Sequence, residues 1–416
     1  MSHNTRPSSY VALAMGMAAG AVVSVGLLAQ DPVVPRPRIH PLERTEQFLA
    51  GGGSTLLADA SALIRVNIAR QRMQVDGRGF AAVVIDSGVY ADHLSFCGRV
   101  TRREDFTGDR HPEPGADRNG HGTHVAGIVA ASGAACKGTP TGLHPGIAPG
   151  AAVYSFKAAN DRGESDWPWI GNALRRVVEM ARAENGTPGA PLIGAVNVSI
   201  ASFEDLTSDE IADRGGIIAA IRDLAALNVP VVIAAGNDFY EHDSQPGMAF
   251  PAIVRDAISV GAVFNKDYKD ISFGLPFASK GLAGRIAPFS QRLAVKSNSP
   301  FGTTLFAPGA EIVSTGLLSP VSPARQRGTS QAAPMVAGTV LLLAEYYNAR
   351  LPAGSARRRP PLAALRRWLT DGGVPIVDDY GDDDNVKNTD QTYRRLDVLA
   401  ALEQLKADAD RGALPQ

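Results

Sequence analysis

Residues 81–88 read AAVVIDSG, an unbroken apolar run ending in Asp86, Ser87 and Gly88. A run this short, rich in β-branched side chains and without polar alternation, reads as a strand buried on both faces. The same character recurs at residues 152–156 (AVYSF), 195–200 (AVNVSI) and 229–235 (VPVVIAA). Between these runs, residues 171–183 and 216–227 place apolar side chains three and four apart, the spacing of an amphipathic helix. Strands alternating with helices from about residue 58 predict an α/β fold: a doubly wound, mostly parallel sheet with helices on both faces.

The whole chain is consistent with one large catalytic-type domain plus extensions. It has 416 residues, 44% hydrophobic and 20% charged, with 41 Lys+Arg against 42 Asp+Glu and a net charge of −1. That balance excludes a disordered chain and lacks the basic footprint of a nucleic-acid partner. The 43 glycines and 28 prolines fit many tight connections between short elements.

At the N-terminus, residues 10–29 (YVALAMGMAAGAVVSVGLLA) are uncharged and follow Arg6, the pattern of an export signal. The run is also long enough to serve as a membrane tether; removal is the favoured expectation. The protein is therefore expected to be exported, either secreted or periplasmic, or alternatively membrane-anchored. Residues 30–57 form a Pro/Gly-rich stretch, in which DPVVPRPRIHP (31–41) reads as an extended spacer and GGGS (51–54) as a hinge and a candidate processing point. The domain proper is expected over residues 58–405, with a tail at 406–416. The two cysteines, Cys97 and Cys136, would meet oxidising conditions in an exported chain; a disulfide between them and two separate buried thiols are both open. Neither CxxC nor HxxxH occurs, so the sequence offers no metal motif of that kind.

In a doubly wound sheet, reactive groups gather beyond the carboxyl ends of the strands. Asp86 stands at such an end, although an isolated Asp there is often only a helix cap. His121 lies in NGHGTHVAG (119–127), whose small residues let a helix begin against another backbone. A lone helical His is commonly just a satisfied polar group. Ser330 lies in GTSQAAPMVAG (328–338), ahead of an apolar helix. An N-cap alone does not account for its small flanking residues, which suit a hydroxyl exposed for attack beside a helix N-terminus. Asn237, in AAGND after a strand, offers an amide donor or is a plain turn residue.

Together these four segments resemble the subtilisin-like serine peptidases, in that family's order, over about residues 58–405. The resemblance implies Ser330 as nucleophile, His121 as general base and then acid, Asp86 as the carboxylate orienting it, and Asn237 in the oxyanion hole. His124 is not carried over. It further implies that an extended peptide substrate lies between Ser199, Ile200 and Ala201 on one side and Gly163, Glu164 and Ser165 on the other. Ala201 stands where the family usually has glycine, so its methyl is expected to narrow the cleft. Glu164 and Asp166 are either selectors of basic residues upstream of the cut bond or solvated loop acids. Ala235 and Gly236, with Ala234 and the surroundings of Ala249, would line a primary pocket that lacks an acidic base and accepts apolar side chains.

Several departures from the family pattern carry expectations of their own. Too few residues precede the domain for a full folded propeptide, so maturation would use a short segment or none. No cofactor is expected. The family's usual calcium loop corresponds to residues 131–146, which contain no carboxylate. The acidic run Asp378, Asp379, Asp382, Asp383, Asp384 reads better as a solvated loop than as a calcium site. Gln331 replaces the methionine frequent after the nucleophile. Two competitors remain: an esterase-like hydrolase, disfavoured because no Gly-x-Ser-x-Gly surrounds Ser330, and a catalytically silent peptide-binding protein on the same fold.

Overall fold

The computed structural model describes residues 34–43, 45–47, 56–109, 112–133, 136, 138–184, 189–273, 279–295, 301–379 and 386–415. Its centre is a nine-stranded sheet in the order Val374–Val377, Thr392–Arg395, Leu305–Pro308, Ile258–Val263, Val231–Ala234, Leu192–Val198, Phe80–Asp86, Ala152–Lys157, Val100–Asp105. All neighbours pair in parallel except the edge strand Val374–Val377, which runs antiparallel to Thr392–Arg395. Each strand foreseen from an apolar run is present, with ends shifted by at most three residues. The expected α/β, mostly parallel sheet is the observed one.

Alternation along the strands divides the core in two. Phe80, Ala82 and Val84 point into one apolar layer, shared with the helices His121–Ala130 and Thr329–Ala349. Val83 and Ile85 point into the other, shared with Trp167–Ala183 and Ile217–Ala226. Helix Trp167–Ala183 starts where Asp166 accepts a hydrogen bond from Trp167 N at 2.9 Å and Pro168 fills the first turn, so it begins four residues ahead of the apolar periodicity. From Phe80–Asp86 the chain winds to one side through Ala152–Lys157 and to the other through Leu192–Val198, so Asp86 ends a strand at the topological switch point.

Three expectations about boundaries change. Helix Leu56–Leu63 begins before residue 58. Helix Val398–Asp410 runs through position 405, and residues 406–415 are no loose tail: Asp408 accepts from Trp368 Nε1 at 2.7 Å and the Pro415 carbonyl from Tyr347 Oη at 2.7 Å. Residues 35–39 are extended as read, but they pair with the domain instead of spacing it from something else. The membrane or signal reading of residues 10–29 and the hinge at 51–54 lie outside the described residues. Among the described residues, no helix is long and apolar enough to cross a membrane.

Candidate active site

The carboxyl end of Phe80–Asp86 meets the amino end of His121–Ala130. That helix has no side-chain N-cap of its own, because Gly120 precedes it with φ 97°. Its first N–H groups are instead taken by the neighbouring loop and by the turn after Asp86. His121 N donates to Asn119 Oδ1 at 3.3 Å, Gly122 N to Ser87 Oγ at 2.9 Å, and Thr123 N to Asp117 Oδ2 at 2.9 Å. A Cβ on Gly122 would meet the Gly88 carbonyl at 2.2 Å, so only glycine lets helix and turn approach this closely. The result is that His121 Nδ1 sits 2.8 Å from Asp86 Oδ1, with both side chains fully buried.

Asp117 and Lys157 are parts of this arrangement that sequence reading missed. Asp117 gathers bonds from Ser87 Oγ, Asn119 N, Gly120 N and Thr123 Oγ1 at 2.6–3.0 Å. Burial pushes its carboxyl up against those bonds. Lys157 Nζ donates to the Ser87 carbonyl at 2.9 Å from beneath. His124 points away to the Ile312 carbonyl at 3.1 Å, and burial pushes it down to about 3, so it is neutral.

Ser330 occupies the first turn of Thr329–Ala349. Pro334, four residues on, has no N–H, which leaves the Ser330 carbonyl without its intrahelical partner. Ser199 Oγ donates to that carbonyl at 3.1 Å, and Ser330 Oγ in turn donates to the Ser199 carbonyl at 3.2 Å. Asn197 Nδ2 donates to Ser199 Oγ at 2.9 Å, which fixes the hydroxyl from the strand side. Asn237 is oriented by Thr329, whose N and Oγ1 donate to Asn237 Oδ1 at 2.9 and 3.0 Å, so the amide nitrogen faces the cleft. Gly236 carries φ +115°, and a Cβ there would meet Gln291 Oε1 at 1.9 Å.

Between these groups lies a residue from the supposed spacer. Glu43, wholly buried, places Oε2 3.2 Å from His121 Nε2 and accepts a hydrogen bond from Asn237 Nδ2 on Oε1 at 2.7 Å. Burial alone would push the Glu43 carboxyl up. The nearby His121, with the Ser330 side chain and the charge of His40, overcomes that and holds it below its ordinary range. Burial likewise lowers His121, but the charges and hydrogen bonds of Asp86 and Glu43 win and push it up to about 10. His121 is therefore an imidazolium across the neutral range. Ser330, His121 and Asn237 thus converge on one carboxylate, and Asp86 reaches it through His121.

The chain leading to Glu43 runs between the two expected rims. Arg38 N donates to the Ala201 carbonyl at 3.2 Å, Ile39 N to the Gly163 carbonyl at 2.8 Å, and Ser165 N to the Pro37 carbonyl at 3.0 Å. Glu164 pairs in register with Arg38, while Ile200 is turned into the core. An extended chain lies beside Ala201, paired with it through Arg38. Asp166 is spent as a helix cap, and Glu164 pairs with Arg162 at 2.8 Å. Downstream of Glu43, Glu46–Gln47 pairs antiparallel with Pro323–Gln326. No signal within PRPRIHPLE marks this docking: proline-rich sequence looks alike in a linker and in a bound extended peptide.

Of the two readings left open for the cysteines, the disulfide is not formed: Cys97 and Cys136 are both thiols, and Cys97 Sγ lies 3.4 Å from the Leu94 carbonyl and 3.7 Å from Ser132 Oγ. The acidic-loop reading also changes at its first residue, for Asp378 is buried against Arg292 Nε at 2.8 Å. Asp382, Asp383 and Asp384 lie outside the described residues. Among those described, no group of three His, Cys, Asp or Glu side chains is placed to hold a metal ion.

The subtilase family model matches residues 77–371, and the chain belongs to that family. It is 27% identical over 313 residues to an intracellular serine protease of Paenibacillus polymyxa, covering 74% of this chain and 79% of that one. It is 26% identical over 275 residues to the major intracellular serine protease of Bacillus subtilis (strain 168), covering 65% and 70%. Proteinase T of Parengyodontium album is 27% identical over 321 residues, covering 76% and 82%. The protein is accordingly a serine endopeptidase, a hydrolase acting on peptide or protein substrates.

Proposed function

We propose that this chain is an exported endopeptidase that cuts peptide bonds through an acyl-enzyme on Ser330, and that residues 35–47 hold it latent. The observation that carries this reading is the convergence of His121 Nε2, Asn237 Nδ2 and Ser330 on the single carboxylate of Glu43. A point within reach of a base, a hydroxyl and an amide donor is where a scissile carbonyl would sit.

With Glu43 withdrawn, His121 takes the proton of Ser330 Oγ as the oxygen attacks the carbonyl carbon. Asp86, fixed at 2.8 Å, stabilises the imidazolium that forms. The carbonyl oxygen becomes an oxyanion and accepts hydrogen bonds from Asn237 Nδ2 and the Ser330 N–H. Collapse breaks the C–N bond, and His121 returns its proton to the leaving amine. Water, deprotonated by His121, then releases the acid and regenerates Ser330. These steps use protein groups alone, so we propose no cofactor.

In the docked state this cycle is blocked twice: His121 already carries the proton it would need to accept, and Asn237 is engaged by Glu43. Residues 35–40 lie as a substrate would, yet the His40 carbonyl accepts from Glu43 N at 2.9 Å instead of from Asn237. The following bond is to Pro41, whose ring nitrogen has no hydrogen. Export is supported by the uncharged run at 10–29 after Arg6. Peptide hydrolysis by the chain, lost in a folded Ser330→Ala variant, is the expected result. Retained turnover in a clean Ser330→Ala preparation would refute the assignment, and a folded chain that binds peptides without cutting them would favour the silent binder.

A further inference from the structure

His40 is the last residue of the docked segment to follow the path of an extended substrate before the chain turns away at Pro41–Glu43. With Ser199, Ala201, Phe203, Ala234 and Gly236 it lines one small cavity beside Ser330, and Asp238 is part of the same lining. The pocket is not purely apolar. His40 Nε2 is 2.8 Å from Asp238 Oδ1, at the rim beside Asn237. Its Nδ1 accepts from Leu42 N at 3.0 Å, so the docked ring is the neutral tautomer with its hydrogen on Nε2, a nitrogen donor in the place that a charged one would take. The imidazole packs on Phe203 with ring centroids 5.1 Å apart, and Arg38 Cζ lies 4.1 Å from the same ring. A carboxylate and an aromatic face together suit a nitrogen donor that carries positive charge.

We propose that Asp238 makes the primary pocket select a basic side chain (Lys, Arg or His) at the residue preceding the cut bond, with the segment's own His40 as the stand-in for that residue. This rests on the endopeptidase reading and replaces the apolar preference that the sequence suggested. Burial works against a charged His40, but the hydrogen bond and charge of Asp238, helped by Glu43 and Glu241, hold its imidazole above the ordinary value. A Leu or Phe in the same place would leave the buried Asp238 without its partner.

The test uses the full-length chain and peptides that differ only at the residue before the cut bond, with turnover normalised to Ser330 titrated by a serine-directed phosphonate. Basic residues should exceed Leu in kcat/KM by about tenfold or more, and Asp238→Asn should lower that ratio by about tenfold. A preference for Leu or Phe, or a ratio that Asp238→Asn leaves unmoved, overturns the inference while the titration upholds the peptidase. If the phosphonate titrates no serine, both readings fall. A second arm needs neither turnover nor a folded Asp238 variant. His40→Asp, which sets like charges against each other, should speed phosphonate labelling of Ser330 well above the rate in His40→Arg; equal rates overturn the inference.

Discussion

The amide of Asn237 shows how one side chain can serve two states. Thr329 holds its oxygen, so its nitrogen must point into the cleft whatever stands there. In the docked chain that is Glu43; in the proposed turnover it is the oxyanion. Asn237→Ala should therefore lower kcat by roughly 10²–10³-fold with little change in KM, the usual result of losing one preorganised donor. Steady-state kinetics on titrated enzyme measures it, and an equal rise in KM at constant kcat would show that the amide only binds substrate. That Asp86, His121, Ser330 and Asn237 would meet in one cleft was legible in the sequence because each position needs particular neighbours, such as small residues where a helix meets a turn. Glu43 was not legible, since nothing near it in sequence is constrained by the contacts it makes.

At the level of elements, residues 35–43 and 45–47 add to the domain by strand pairing at Arg38 and at Glu46–Gln47, and their grip depends on protonation. Glu43, held below its ordinary value near 4.5, contributes fully above that pH and loses its contribution as pH falls through the lowered value. His121, raised from an ordinary 6.5 to about 10, contributes fully below 6.5 and loses its contribution as pH climbs toward 10. His40 is also raised, so its share fades in the same direction as that of His121. Both kinds of contribution are complete only between about 4.5 and 6.5. Hydrogen exchange at the Arg38 and Ile39 amides, corrected for intrinsic rates, should show greatest protection in that window and declining protection toward pH 10. Protection that rises steadily from pH 6.5 to 10 would contradict the Glu43–His121 contact.

Across the whole molecule, the extension beyond residue 371 is fastened to the substrate side of the domain by one buried ion pair. Arg292 Nε meets Asp378 Oδ2 at 2.8 Å, and the guanidinium lies 3.5 Å from the Phe239 ring, two residues after Asn237. Thr389 N and Oγ1 complete the carboxylate at 2.9 and 2.7 Å. Asp378→Ala leaves a buried guanidinium without its counter-ion, which should cost about 3–5 kcal/mol in urea unfolding. A loss under about 1 kcal/mol would mean the pair is solvated. Sequence reading saw four core strands because burial on both faces leaves a continuous apolar run, but not the equally buried Ile258–Val263, interrupted by Gly261, and the short Leu305–Pro308. It missed the edge, where Val374–Val377 is partly exposed and its neighbour Thr392–Arg395 carries arginines. Arg359, in a run of three arginines ahead of two prolines, donates to the Ile193 carbonyl at 2.6 Å and pairs with Glu184. Its partners are distant in sequence and leave no local trace.

The account stands on a cleft in which Ser330 is the reactive hydroxyl and Glu43 the group that blocks it. Mass spectrometry of the full-length chain after timed exposure to a serine-directed phosphonate tests both at once. One adduct, on Ser330, is predicted, forming slowly in the parent chain and faster in Glu43→Gln. An adduct on another serine, or none in either folded protein, would contradict the account.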